Sequence, residues 1–224
     1  MNPCDEILAQ VKKAFVGKRD VARKILMTML AGGHVLLEDI PGVGKTTLAV
    51  AFSNATDLQY KRIQFTPDVL PSDITGFSIY RRETGAMEYQ PGAAICNLLL
   101  ADEINRASSR TQSALLEAME EGSVTVDGVT HQIPQPFTVI ATQNPTGSAG
   151  TQLLPDSQLD RFMMRLSIGY PDAAAEREML RRKHGEARNQ AVQKVADAQA
   201  LLQMREEVSR VFVHEEIYDY IVRL

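Results

Sequence analysis

The sequence predicts an α/β protein with a five-stranded, mainly parallel sheet, and three observations carry that prediction. Short apolar runs alternate with stretches of helical spacing through residues 1–171, the rhythm of strands joined by helical crossovers. A Gly/Pro turn leads straight from one such run into a helical stretch at residues 39–45. Hairpin signals are confined to two places, so the remaining strands need crossover connections.

Taken in order, residues 5–15 and 19–31 carry helical spacing, the second through Val21, Ile25, Met29 and Leu30. Gly32 and Gly33 end that helix, as residues that accept positive φ commonly do. The run His34–Glu38 reads as a buried strand, and a helix is predicted from Lys45 to Thr56. Further strands are predicted at Tyr60–Phe65, Leu98–Asp102, Thr138–Thr142 and Arg165–Gly169. Residues Phe77–Gln90 read as a hairpin turning at Thr84-Gly85, and Val124–Ile133 as one turning at Asp127-Gly128. Tyr170-Pro171 closes the α/β unit, residues 1–171. From 172 to 224 the pattern is helical, with Asp172 as N-cap and Glu176 near the positive end of the helix dipole. The stripe Ile217, Tyr220, Ile221, Leu224 is still running at the last residue, so this segment is predicted to be part of a small helical lid domain.

Composition limits the function classes. Acids outnumber bases, 28 to 24, for a net charge of −4, against the basic footprint that non-specific duplex binding needs. No run approaches the roughly 18 uncharged apolar residues of a membrane span, and the N-terminal residues lack the apolar core of a secretion signal. Cys4 and Cys96 are far apart and form no CxxC, which fits a reducing cytoplasm. The histidines, His34, His131, His184 and His214, show no ligand spacing, so no metal site beyond one for Mg²⁺ is expected.

The chemistry concentrates in four places. Asp39-Ile-Pro-Gly-Val-Gly-Lys-Thr46 follows a strand and opens a helix, the context of a phosphate-binding P-loop. Residues Pro41, Gly42, Val43, Gly44, Lys45, Thr46 and Thr47 would surround the phosphates of ATP or ADP, all but Pro41 offering backbone N–H groups. Gly42 and Gly44 permit close approach, Lys45 reaches the β/γ-phosphates and the Thr46 hydroxyl holds Mg²⁺. Asp39 stands where the usual pattern begins with glycine. The apolar strand Leu98–Ala101 ends in Asp102 and Glu103, placed to order the Mg²⁺ shell and to polarise an attacking water respectively. Asn144 lies just beyond another strand end, at the sheet edge where ligands bind, and could orient water near the γ-phosphate. Arg161 is a candidate for neutralising transition-state charge from a neighbouring subunit, with Arg106, Arg110 and Arg165 as competitors.

Six stretches together resemble the MoxR family of AAA+ ATPases: Glu38–Thr46, Phe65–Gly76, Asp102–Ala107, Met119–Gly122, Ala141–Pro145 and Gln158–Phe162. The resemblance implies a five-stranded AAA+ sheet with a helical lid, hexameric rings, and ATP with Mg²⁺ held between subunits. It makes Lys45, Thr46, Asp102 and Glu103 the cis residues, Asn144 the first sensor and Arg161 the finger reaching the neighbour's γ-phosphate. Val16-Gly17 resembles the segment beside adenine, and the two hairpins the elements that face a pore or a partner. The family's second-sensor arginine sits in a later lid helix, and no such motif falls within this sequence. It further implies ATP-driven remodelling or maturation of proteins, with a partner carrying a von Willebrand factor A domain. A scaffold that binds ATP without turnover and a P-loop phosphotransferase are the alternative readings. The Asp102-Glu103 pair favours hydrolysis, since a scaffold needs no water-polarising acid.

Overall fold

The computed structural model describes residues 2–39, 42–144, 154–183 and 191–224. Two helices come first, α1 at Pro3–Ala14 and α2 at Arg19–Leu30. Asn2 caps α1 through its side-chain oxygen, which accepts from the Cys4 N–H at 3.0 Å, and Pro3 follows where a missing N–H costs nothing. Strand β1 (Val35–Glu38) leads through the glycine turn into α3 (Lys45–Thr56), then β2 (Tyr60–Gln64) and the single turn α4 (Pro71–Thr75). The first hairpin is β3 (Gly76–Arg81) with β4 (Ala86–Pro91). Strand β5 (Leu98–Asp102) precedes a 3-10 turn, Ile104–Arg106, and α5 (Ser109–Glu121). The second hairpin is β6 (Ser123–Val126) with β7 (Val129–Gln132), and its turn has the positive φ at Asp127 and Gly128 expected of a two-residue connection. Strand β8 (Thr138–Gln143), α6 (Asp156–Leu159), β9 (Met164–Leu166) and three helices, α7 (Ala173–Lys183), α8 (Ala198–Ser209) and α9 (Glu215–Val222), complete the order.

The main sheet has the order β2-β5-β8-β1-β9, and every pairing in it is parallel. Neighbours β1 and β8 send their outgoing connections to opposite ends of the sheet, opening a crevice at their C-terminal ends where ligands of such sheets bind. Side chains alternate across the sheet because the strand period is two. Val35, Leu37, Leu98, Leu100 and Ile140 pack on one face against α1, α2 and α3. Leu36, Leu99, Ala101, Val139 and Ala141 pack on the other, against α5 and its flanks. The result is three layers with both sheet faces buried, as a parallel sheet requires.

Helices α4 and α5 lie where the sequence reading assigns no element. The last strand differs from its predicted range of 165–169: β9 spans Met164–Leu166. After it the chain leaves the ladder: the N–H groups of Ile168 and Gly169 donate to the Asp39 carboxylate instead, which also accepts from the Ser167 hydroxyl. Asp172 accepts from the N–H groups of Ala174 and Ala175, capping α7 as predicted. Helix α8 packs on α2 through Leu201, which is fully buried, and through Arg205, whose Nε donates to the Met29 carbonyl at 2.7 Å. No helix among the described residues is long and apolar enough to cross a membrane.

Candidate nucleotide-binding site

The P-loop leaves β1 and enters α3 through two glycines with positive φ, 89° at Gly42 and 93° at Gly44. Both conformations suit glycine alone. At Gly44 a side chain would also meet the Phe15 ring at 3.3 Å, so Phe15, buried at the end of α1, backs the loop. Val43 packs onto the same core. Pro41 lies outside the described residues. Lys45 is buried, and its Nζ donates to the Asp39 carbonyl at 2.8 Å. Burial lowers the Lys45 pKa from its ordinary value, while the carboxylates of Asp102, Asp39 and Glu103 pull it back upward. One ammonium therefore senses three acids brought together from two separate parts of the chain.

Asp39 explains itself in this structure. Its carboxylate is buried and accepts from the Ser167 hydroxyl at 2.9 Å and the N–H groups of Ile168 and Gly169 at 2.5 and 2.8 Å. Where a glycine would leave the loop free, Asp39 ties its base to the segment after β9.

At the end of β5, one buried hydroxyl organises both acids. Thr142 on β8 donates to Asp102 Oδ1 at 2.6 Å and accepts from the Glu103 N–H at 2.8 Å. Glu103 has left-handed backbone, φ 58° and ψ 48°, costing a non-glycine residue about 1–2 kcal/mol. The Thr142 bond helps hold that bend, which ends the strand and starts the 3-10 turn. Gln112 on α5 secures the turn from below, donating to the carbonyls of Ile104 and Ala107. Each acid also meets an arginine: Asp102 Oδ2 meets Arg62 at 2.7 Å, and Glu103 Oε2 meets Arg106 at 2.8 Å.

The structure thus gathers Lys45, Asp102 and Glu103, with the half-buried Thr46 and exposed Thr47 following Lys45 on the first turn of α3. Asn144 follows β8 directly, half-buried, and its carbonyl accepts from Asn105 Nδ2 at 3.5 Å. Val16 is half-buried and Gly17 exposed, with φ 128°, in the link between α1 and α2. Arg161 stands apart from this group. It ion-pairs with Glu120 of α5 and lines a cleft of about 330 Å³ with His34, Met119, Ser157 and Asp160, none of them a P-loop residue. Its competitors have other engagements or positions: Arg106 holds Glu103, Arg165 pairs with Glu38 at 2.6 Å, and Arg110 is exposed at the start of α5. Sequence reading missed Thr142, Arg62 and Phe15. Their signal is sheet order and helix packing, which the linear motifs do not contain.

With this geometry in view, similarity to known proteins becomes decisive. The family described as "ATPase family associated with various cellular activities (AAA)" matches residues 34–164, from the start of β1 into β9. Chaperone MoxR1 of Mycobacterium tuberculosis is 41% identical over 98% of this chain and 58% of its own length. The chain belongs to the MoxR family of AAA+ ATPases. Uncharacterized protein YeaC of Bacillus subtilis is 49% identical, covering 96% of this chain and 67% of its own. A crystal structure of a Cytophaga hutchinsonii protein classed as an ATPase superposes with a TM-score of 0.90 at 40% identity, covering 99% of this chain and 67% of that one. The chain therefore spans between 58% and 67% of these proteins' lengths.

Proposed function

We propose that the chain binds ATP with Mg²⁺ and hydrolyses it, as the nucleotide-driven part of a chaperone-like remodelling motor. The observation that carries this reading is the meeting of Lys45 with Asp102 and Glu103 at the C-terminal edge of the sheet. The P-loop N–H groups bind the phosphates, and Lys45 exchanges the Asp39 carbonyl for a phosphate oxygen. That exchange favours the ammonium, because an anionic acceptor makes a stronger bond than a neutral carbonyl. Thr46 and Asp102 offer the hard oxygen donors that suit Mg²⁺. Among the described residues no three His, Cys, Asp or Glu side chains cluster as a metal site, so the rest of its shell would come from water and phosphate oxygens. The ion, when bound, neutralises phosphate charge. Glu103 accepts a proton from the attacking water, a role that requires its carboxylate to turn from Arg106. Asn144 orients that water. Val16 and Gly17 lie beside the adenine.

Ring assembly completes the site. Arg161, held by Glu120 on the α5–α6 face, would supply positive charge to a neighbour's γ-phosphate, with a hexamer as the expected ring. The helices after residue 171 belong to the lid domain, the two hairpins face the ring's pore or a partner, and a protein carrying a von Willebrand factor A domain is the expected partner. The relative named a chaperone supports the remodelling role.

The test is ATP hydrolysis per chain as a function of protein concentration with Mg²⁺ present. A specific rate that climbs with concentration is expected. A flat rate would indicate a self-contained site and displace the ring model in favour of phosphotransfer. Glu103→Gln should retain ATP and lose turnover, and parental turnover in that variant would refute the base assignment.

A further inference from the structure

We propose that Arg62 is a built-in competitor of the divalent cation, raising the metal concentration at which nucleotide is loaded; this rests on the nucleotide-site reading above. Arg62 lies on the edge strand β2, in register with Leu100, two residues short of the position opposite Asp102. Side chains two apart share a sheet face, so the guanidinium reaches diagonally along the strand. One of its nitrogens touches both Gln64 Oε1 at 3.0 Å and Asp102 Oδ2 at 2.7 Å.

The two oxygens of Asp102 are held in different ways. Thr142, fully buried on β8, donates a neutral hydroxyl to Oδ1. Arg62, with its side chain 45% exposed, places a full positive charge on Oδ2 from the solvent side. The buried contact positions the acid, whereas the exposed one compensates its charge and can leave. Lys45 also senses Asp102. A divalent cation drawn to this carboxylate therefore meets two fixed cations, and the nearer can withdraw only by breaking its ion pair.

No other carboxylate among the ion pairs of the described residues meets Arg62, so withdrawal leaves it to Gln64 and water. The chain would thus resist metal loading until nucleotide phosphates, which favour both cations, arrive with the ion. Removing the charge at position 62 should loosen that coupling. A half-exposed ion pair contributes little to folding, so the fold should tolerate the change.

The experiment measures binding and not turnover. ADP binding to the full chain is followed by calorimetry across a Mg²⁺ series, and bound Mn²⁺ is counted by electron paramagnetic resonance at fixed ADP. Arg62→Gln should lower the half-saturating metal concentration roughly three- to tenfold, the scale of one screened charge near a site. Arg62→Lys, which keeps the charge, should stay near the parent. An unchanged metal requirement in Arg62→Gln, with parental ADP binding intact, would overturn the competitor role alone. A higher requirement would overturn it too, by making Arg62 an aid to Asp102. Failure of the parent chain to bind ADP at any metal concentration would defeat the nucleotide reading itself, and this inference with it.

Discussion

Replacing Thr142 by valine keeps the side chain's shape and deletes one hydroxyl, which in this structure joins β8 to both acids at the end of β5. The hydroxyl donates to a carboxylate at 2.6 Å and accepts from the Glu103 N–H at 2.8 Å, in a residue with no solvent exposure. A hydrogen bond to a charged group contributes about 1.5–3 kcal/mol, and a neutral one about 1 kcal/mol. Valine leaves no cavity, so no packing term is added, although Asp102 keeps Arg62 and recovers part of the loss through water. The expected cost is about 2–4 kcal/mol. With a urea m-value of about 2 kcal/mol/M, that is a midpoint shift of about 1–2 M. Urea denaturation followed by circular dichroism measures it, with Thr142→Ser as the control that keeps the hydroxyl and loses about 1 kcal/mol for the methyl group. ATP turnover should fall more than ADP binding, because the Glu103 bend loses an anchor while the P-loop is untouched. A Thr142→Val midpoint within about 0.3 M of the parent would refute the argument that this hydroxyl holds the site.

Three other outcomes are expected. His34 accepts the Val139 N–H at Nδ1, 2.9 Å, so its proton sits on Nε2 and is donated to the Met119 carbonyl at 3.1 Å. Burial pushes its pKa down from 6.5 to about 4. The unfolded chain then binds more protons below pH 6.5, so stability is full above that value and is lost as pH falls towards 4, by about 2 kcal/mol at pH 5. Urea melts at pH 7.5 and 5.0 check this, and an equal acid loss in His34→Gln would assign it elsewhere. Asp39→Ala removes a buried acceptor of three hydrogen bonds, and should cost about 3–5 kcal/mol by thermal or urea denaturation; a loss under 1 kcal/mol would contradict the tie. Arg161→Ala should bind ATP normally and hydrolyse it slowly. Mixing it with Lys45→Ala should restore part of the rate, and confirmed mixed rings with no rescue would count against action across subunits.

What the sequence discloses divides along physical lines. The range Lys45–Thr56 is read as helix and Leu98–Asp102 as strand, and both are observed with those bounds. Local signals fix them: a glycine with positive φ before the helix, and an apolar run ending in charge after the strand. The Asp127-Gly128 turn is equally local. The strand read at Arg165–Gly169 fails at its end for a non-local reason, because Asp39 takes the N–H groups of Ile168 and Gly169 from 129 and 130 residues away. The same distance hides the site's supports. Thr142 and Arg62 each reach Asp102 across 40 positions. Both contacts follow from β5 lying between β2 and β8, an order that no motif spells out. The chemically conspicuous residues were legible because their types are rare in that spacing. Their holders are ordinary residues made important by position.

Those holders explain how so many charges are accommodated close together. Asp102, Glu103 and Glu38 each have an arginine, from β2, the 3-10 turn and β9 respectively. Lys45 is treated differently. Its Nζ donates to the Asp39 backbone carbonyl, and burial disfavours its charge. The acids are thus compensated within the chain, while the ammonium is only partly so. On the proposed reading, a polyphosphate would improve the environment of Lys45 directly, whereas a bare cation would first have to displace arginine from the acid it uses. On that reading the charges set an order of preference, phosphate first and metal chiefly in its company.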